Sequence, residues 1–420
     1  MNVLVLGSGG REHAFSWKLK QSPKLGALYI APGNAGTSTL GRNIALDMAN
    51  PSEVVAAVKQ HAIDLILVGP EVPLVAGLVD QLAQALPELK VVGPGRSGAQ
   101  LEGSKSFAKD FMRRHQIPTA AYREFEASDL AAGLAYLDQH ALPIVLKADG
   151  LAAGKGVLIC TDRAEAKREF TAMLDGKFGD ASAKVVVEQF LKGLEFSVFV
   201  AVDGSSHQVL PMAKDYKRIG EGDTGLNTGG MGSVSPVPFV DETMREKVMR
   251  QVVHPSVQGI ISDGLDYQGF LFIGLIEVEG EPYVIEYNCR MGDPETQSVM
   301  PRLKSDFLEL CLAICDQRLE HYEVEIEDRY ATSIVMVSGG YPEAYEKGKA
   351  ISGLEKVMGS TIFHAGTKIE DAEVVTNGGR VLAVTSLGSG LQEALAKSYA
   401  NADLLDFKEK YCRRDIGFDL

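Results

Sequence analysis

A chain of 420 residues, 45% hydrophobic and 23% charged with 44 glycines, is too long for one domain of about 150 residues and too apolar to be disordered. Its 42 basic and 56 acidic residues leave a net charge of −14, which argues against a broad nucleic-acid interface, because such affinity comes from neutralising phosphates. Cys160, Cys289, Cys311, Cys315 and Cys412 form no CxxC pair or dense disulfide framework, the opening MNVLVLGSGG has no basic leader, and no apolar run reaches the length of a membrane span; a reducing, cytoplasmic setting without membrane contact is expected.

From residue 1 to about 101, apolar runs at 3–6, 28–30, 65–68 and 91–92 alternate with helix-forming stretches, the pattern of an open parallel sheet. Residues 1–101 are therefore read as a first, α/β domain, closed by the Gly, Pro and Ser of 93–101. A helix follows, capped by Ser104, with Phe107, Phe111 and Met112 on its apolar side and a stop at Ile117 and Pro118. Runs at 144–147, 157–160 and 185–188 predict strands in a second unit, 102–190, whose glycine-rich insert 149–156 reads as a hairpin flap. Strands at 196–200, 208–212, 269–275 and 283–287 suggest a larger mixed sheet in a third unit, 191–325. Phe307, Leu308, Cys311, Leu312 and Cys315 recur at helical spacing. Strands at 334–337, 361–364 and 381–384 then predict a small C-terminal α+β unit, 326–420.

The first chemistry-bearing segment runs from a buried strand into Gly7-Ser8-Gly9-Gly10-Arg11-Glu12-His13, where small residues let amide donors and a helix N-terminus approach an anion. A dinucleotide fingerprint would have glycine at Glu12, so NAD binding is a weak reading, and a purely structural turn stays open. Pro32 to Thr37 supplies a second polar turn. Lys147 with the insert Asp149 to Gly156 is the strongest local phosphate signal, a cation beside glycines that let backbone amides follow the ligand. It is not a Walker A loop, since Asp149 and Gly156 replace required residues. The strand before Phe190 and Leu191, followed by Glu195, can receive an adenosine or be an ordinary core strand. Glu286 and Asn288 share one face of a strand, and their hard oxygens suit Mg²⁺; Glu277, on the preceding strand, is a further carboxylate candidate. Cys289 points the other way and reads as a buried small hydrophobe, and no histidine pair completes a zinc set with Cys311 and Cys315.

The run Lys214 to Gly232, together with Glu286-Tyr287-Asn288-Cys289-Arg290-Met291-Gly292-Asp293-Pro294-Glu295-Thr296-Gln297, resembles the glycinamide ribonucleotide synthetase (phosphoribosylamine-glycine ligase) family of the ATP-grasp superfamily. Gly7 to His13, Pro32 to Thr37, Gly103 to Lys109, the flap and Pro301 to Asp306 follow the same pattern in the same order. The resemblance implies central ATP-grasp subdomains and ATP-dependent ligation of glycine to 5-phosphoribosylamine through a glycyl phosphate, giving glycinamide ribonucleotide, ADP and phosphate. It implies ATP contacts from Lys105, Lys147, Gly150, Gly154, Lys155, Gly156, Glu188, Phe190, Leu191 and Glu195, and Mg²⁺ or Mn²⁺ on Glu286 and Asn288. Gly9, Gly10, Asn34, Gly36 and Thr37 go to phosphoribosylamine; Asp215 and Arg290 go to the ammonium and carboxylate of glycine, and with Lys147 form the catalytic set. His13 and His254 are expected to be structural. The implied partners are small molecules, acted on by a monomer with at most transient contact to the preceding pathway enzyme.

Overall fold

The computed structural model describes residues 1–152 and 156–420. Its N-terminal sheet is fully parallel, in the spatial order Arg42–Asn43, Leu28–Pro32, Val3–Gly7, Leu65–Val68, Lys90–Val92. The central strand is buried at every position, which is why it reads as an unbroken apolar run: helices cover both faces of a parallel sheet. The loops after Gly7 and Val68 leave adjacent strands at the same carboxyl end, the usual place for a ligand in an open α/β sheet.

Helix Arg96–Gly103 leads into helix Lys105–Arg114, and the Ser104 hydroxyl caps the second by accepting from the Phe107 amide at 3.1 Å. Strands Tyr122–Glu126, Lys184–Gln189, Ile144–Ala148 and Val157–Cys160 form an antiparallel sheet in that order. Lys147 pairs with Val157, so the strands that flank the glycine-rich insert are antiparallel neighbours. Helices Leu130–Gln139 and Arg163–Leu174 pack on this sheet around Phe125, Leu146 and Phe170, a core separate from the rest of the protein.

The next sheet is antiparallel throughout, not mixed: His207–Val209, Leu194–Val202, Gly269–Val278, Glu281–Asn288. The local cause is the two-residue link Glu279-Gly280, both at positive φ (51° and 82°), which folds its flanking strands into a hairpin. Strands Tyr330–Val337, Arg380–Gly388 and Ser360–His364 form the C-terminal sheet, joined by Gly232–Ser235 and Lys214–Asp215 from the glycine-rich run. Two large apolar clusters run from the N-terminal sheet into the 194–288 sheet, and one continues to Val335 and Phe363. The molecule is thus a body of three fused parts with one lobe, residues 122–189, set against it.

Candidate active site

The lobe and the connection that leads into it, Pro118 and Thr119, meet the body at strand Glu281–Asn288. The Val284 amide donates to the Pro118 carbonyl at 2.8 Å, and the Thr119 hydroxyl donates to the Val284 carbonyl at 2.7 Å. One residue further, the strand bulges: Leu275 pairs with Val284 and Gly274 with Glu286, leaving Ile285 without a partner. The carbonyl of Ile285 accepts from Lys147 Nζ at 3.2 Å, so the lobe's buried lysine is tied to the residue before Glu286.

Lys147 Nζ also lies 2.9 Å from Glu188 Oε2, and Lys109 Nζ lies 3.2 Å from Glu188 Oε1. Burial pushes the Lys109 ammonium down to about 8; Glu188 opposes this and the neighbouring Lys147 charge adds to it. The Glu188 carboxylate is therefore engaged by two lysines. Phe190 and Leu191 lie in the connection from strand Lys184–Gln189 to strand Leu194–Val202. At the root of the flap, Asp149 accepts from the Ser106 amide and hydroxyl at 2.7 Å, the Lys105 amide donates to the Asp149 carbonyl at 3.0 Å, and the Gly150 amide donates to the Ala181 carbonyl at 2.9 Å. Gly156 closes the hairpin by accepting from the Ala148 amide at 2.8 Å; Gly154 and Lys155 lie outside the described residues.

Across the cleft, Glu286 and Asn288 pair with Gly274 and Phe272, and Glu195 and Ser197 pair with Ile276 and Gly274, so all four side chains share one sheet face. Against the cost of burial, Lys217, Lys147, Lys105 and Arg290 hold Glu286 below the usual carboxylate range. Glu277 is not brought to this face; its carboxylate accepts from the Gly280 amide in the hairpin turn. No group of three or more His, Cys, Asp or Glu among the described residues forms a metal cage. One carboxylate with one amide oxygen is the donor set Mg²⁺ uses when substrate phosphates and waters complete its shell. Glu195 Oε2 lies 2.6 Å from Lys217 Nζ, so the proposed ribose acceptor is paired with a lysine.

Asp215 lies close enough to act on Glu295, a residue that sequence reasoning did not single out within its motif. Burial raises both carboxyls, and their mutual repulsion raises Glu295 further; Lys217 partly offsets the effect at each. The Ser197 hydroxyl reaches Glu295 Oε1 at 3.4 Å. Arg290 spreads its guanidinium over Glu102 (2.8 Å), Glu71 (3.4 Å) and the Asn288 side-chain oxygen (3.2 Å). Glu102 also accepts from the Cys289 amide at 2.7 Å, and Cys289 is buried with its thiol pushed well up, as its strand position suggested. Glu71 and Glu102 were missed. Glu71 had a readable signal, since it follows the end of strand Leu65–Val68 on the ligand side of the parallel sheet.

A cavity of about 640 Å³ opens beside the first glycine loop, lined by Gly9, Asn34, Asp293, Lys368, Asn377 and Arg380. Glu12 explains why this loop is not a dinucleotide site: its carboxylate folds back to accept from the Gly9 amide at 2.6 Å, taking a donor that a pyrophosphate would need. It also fills the space above Gly7 and Gly69, where a Cβ would lie 2.5 Å and 2.0 Å from it. At Gly10 a Cβ would lie 2.3 Å from Gln297 Nε2, so the bare backbone permits the 293–297 turn to pack there. The Asn34 side chain accepts from the Gly36 and Thr37 amides at 2.9 and 3.0 Å and donates to the His364 carbonyl at 2.8 Å. His13 accepts from the His364 amide at 2.7 Å, a structural role as expected, and burial beside His364 pushes it down to about 3. The cavity wall contributed by residues 366–380, which includes Gly366 and the turn Asn377-Gly378, was missed, because it lies more than 300 residues along the chain from the glycine loop it faces.

Residues 1–102, 103–296 and 331–419 match, in turn, the N domain, the ATP-grasp (A) domain and the C domain of phosphoribosylglycinamide synthetase. A phosphoribosylamine–glycine ligase of Vibrio vulnificus is 49% identical over 426 residues, covering 100% of this chain and 98% of its own, and that of Escherichia coli K12 is 48% identical over 427 residues with the same coverage. The crystal structure of the Thermotoga maritima phosphoribosylamine–glycine ligase superposes with a TM-score of 0.87 at 34% identity, covering 99% of this chain and 100% of that one. Lobe, cleft and glycine-loop cavity thus occur in one continuous match of sequence and fold, and the chain belongs to the phosphoribosylglycinamide synthetase family of ATP-grasp ligases.

Proposed function

We propose that the protein joins glycine to 5-phosphoribosylamine at the expense of ATP, giving glycinamide ribonucleotide, ADP and phosphate. The observation that carries this reading is the hydrogen bond from Lys147 Nζ to the Ile285 carbonyl, because it makes the phosphate lobe and the Glu286–Asn288 strand two walls of one cleft. In the first step a glycine carboxylate oxygen bonds to the terminal phosphorus as the bond to ADP breaks; in the second the phosphoribosylamine nitrogen attacks the acyl carbon, phosphate leaves, and the amine proton is lost. Lys147, Lys105 and the flap from Gly150 to Gly156 are assigned to the nucleotide phosphates, the Phe190 and Leu191 backbone with Glu188 to adenine, and Glu195 to ribose. Glu286 and Asn288 would hold a divalent cation, Mg²⁺ or Mn²⁺, which when bound neutralises phosphate oxygens. Asp215 is assigned to the glycine ammonium and Arg290 to its carboxylate. Gly9, Gly10, Asn34, Gly36 and Thr37 are assigned to the phosphoribosylamine side, a role supported by the cavity beside Gly9 and Asn34.

The four spans 1–101, 102–190, 191–325 and 326–420 remain our proposed division of labour, as does action as a cytoplasmic monomer. No helix among the described residues is long and apolar enough to cross a membrane. The test is to generate phosphoribosylamine in situ and follow labelled glycine into product against ADP release, with Glu286→Gln beside the parent. Loss of one charged metal ligand should lower turnover by about 100-fold and raise the Mg²⁺ requirement. Equal metal-dependent turnover in the two proteins would reject the assignment, and product formed without ATP consumption would reject the reaction.

A further inference from the structure

The segment 411–420 is folded against the glycine-rich run that carries Asp215. Arg413 is 0% exposed, with its guanidinium 2.8 Å from Asp415, 2.6 Å from Asp223 and 3.1 Å from the Arg218 carbonyl. It sits 5.4 Å from the Tyr216 ring centroid and 5.8 Å from that of Phe418. The Gly222 amide donates to Asp415 at 2.7 Å, and the Tyr411 hydroxyl donates to the Ile219 carbonyl at 3.0 Å. These contacts order the hairpin of strands Arg218–Gly220 and Thr224–Asn227, just beyond Asp215. One further contact reaches the site: Asp419 accepts from the Tyr216 hydroxyl at 2.8 Å with one oxygen and lies 3.1 Å from Lys214 Nζ with the other.

Lys214 is buried, and apart from Asp419 its ammonium has one hydrogen-bond acceptor among the described residues, the Glu195 carbonyl at 3.4 Å, with the Tyr216 ring 5.0 Å away. A buried ammonium does not stay without an anion; deprived of one, it turns to the nearest carboxylate or gives up its proton. Asp215 is adjacent in the chain, and after Lys217 the Lys214 ammonium is the cation acting most strongly on its carboxylate. We propose that Asp419 is a positioning residue for glycine: it keeps the Lys214 ammonium at the Glu195 backbone and so leaves the Asp215 carboxylate available to the substrate ammonium. The inference rests on the assignment of Asp215 to glycine.

Asp419→Asn, Lys214→Met and the double variant form a cycle read by the KM for glycine and the KM for ATP, with thermal midpoints alongside. Asp419→Asn is expected to raise the glycine KM about tenfold, the size of one charge-assisted hydrogen bond, with the ATP KM changed less than about twofold. If Asp419 acts through Lys214, the double variant is no worse than Lys214→Met alone. Asp419→Glu, which keeps the charge, should recover most of the loss, whereas a variant harmed only in folding would show a lowered midpoint with an unchanged glycine KM. Multiplying fold-changes in the double variant, or an equal rise in the two KM values, would overturn the proposal. Asp215→Asn separates the layers: if it leaves the glycine titration unchanged, the glycine assignment falls, and if it raises the glycine KM while Asp419→Asn does not, only the positioning role falls.

Discussion

Lys109→Met gives the most quantitative test of the charge arrangement around Glu188. Lys109 is buried, with Glu188 at 3.2 Å, the Thr119 hydroxyl at 2.8 Å and the Tyr122 ring centroid at 5.3 Å, yet burial and Lys147 still bring it from 10.5 to about 8. Between those values the unfolded chain keeps the proton that the folded protein has released, so stability rises with pH across that window. Below about 8 both states hold the proton, and the folded protein carries the whole cost of a buried, imperfectly compensated charge. At about 1.4 kcal/mol per pH unit, that cost is about 3 kcal/mol. Methionine keeps most of the stem volume and leaves Glu188 paired with Lys147, so no carboxylate is orphaned. Urea unfolding of both proteins, followed by far-ultraviolet circular dichroism from about pH 7 to about pH 10.5, should show the difference moving in the parent's favour by about 3 kcal/mol as pH rises. Parallel stability curves would show that Lys109 is not held out of its normal range, and the charge balance drawn around Glu188 would be wrong.

Two further substitutions probe the other walls. Gly36 has an ordinary helical φ of −75°, so alanine is allowed by the backbone, but its Cβ would lie 2.2 Å from His13 Cε1 and 2.6 Å from His364 Cδ2. Gly36→Ala should cost about 1–3 kcal/mol through overpacking and raise the KM for phosphoribosylamine, and an unchanged thermal midpoint would refute the close packing. Arg290→Lys replaces a planar fork that touches Glu71, Glu102 and Asn288 with a point charge, so Asn288 loses its orienting donor. The Mg²⁺ concentration for half-maximal turnover should rise about tenfold, and a metal titration identical to the parent's would remove Arg290 from the metal side.

The parts of this architecture legible in the sequence are those whose residues report their surroundings locally. The 3–6 and 65–68 runs are apolar on both faces because helices cover both faces, and Ser104 with Phe107 announces a helix start through a cap that forms inside four residues. The antiparallel pairing of 269–278 with 281–288 was also readable from Glu279-Gly280, a turn pair that closes hairpins and cannot join parallel neighbours. Other features have no local signature. Lys214–Asp215 and Gly232–Ser235 are too short to show a period, so their place in the C-terminal sheet is set by tertiary pairing. Glu277 shows how one residue changes a site: continuing the register from Val278–Glu281 without interruption would put Glu286 on the same face as Glu277, and the extra residue Ile285 turns Glu286 and Asn288 to the opposite face. The same bulge leaves the Ile285 carbonyl outside the ladder, where Lys147 meets it.

Four lysines around the cleft are already matched with an anion: Lys147 and Lys109 with Glu188, Lys217 with Glu195, and Lys214 with Asp419. In the proposed reaction, a nucleoside triphosphate entering the cleft would meet cations already engaged by these carboxylates. Binding is then an exchange of partners, and the net gain is the difference between two sets of charge-assisted contacts. Lys217 and Glu195 are each roughly 40% exposed, so water competes for their contact, whereas the side chains of Lys147 and Glu188 are nearly buried and water does not. The physical division follows from that contrast. Lys217 is free to follow the substrate while Lys147, pinned between Glu188 and the Ile285 carbonyl, keeps the lobe and the Glu286 strand in register as the charges are exchanged. A site built this way spends little of its binding energy holding its cations apart before substrate arrives, and keeps the fixed charge nearest the point where the phosphoryl group must be oriented.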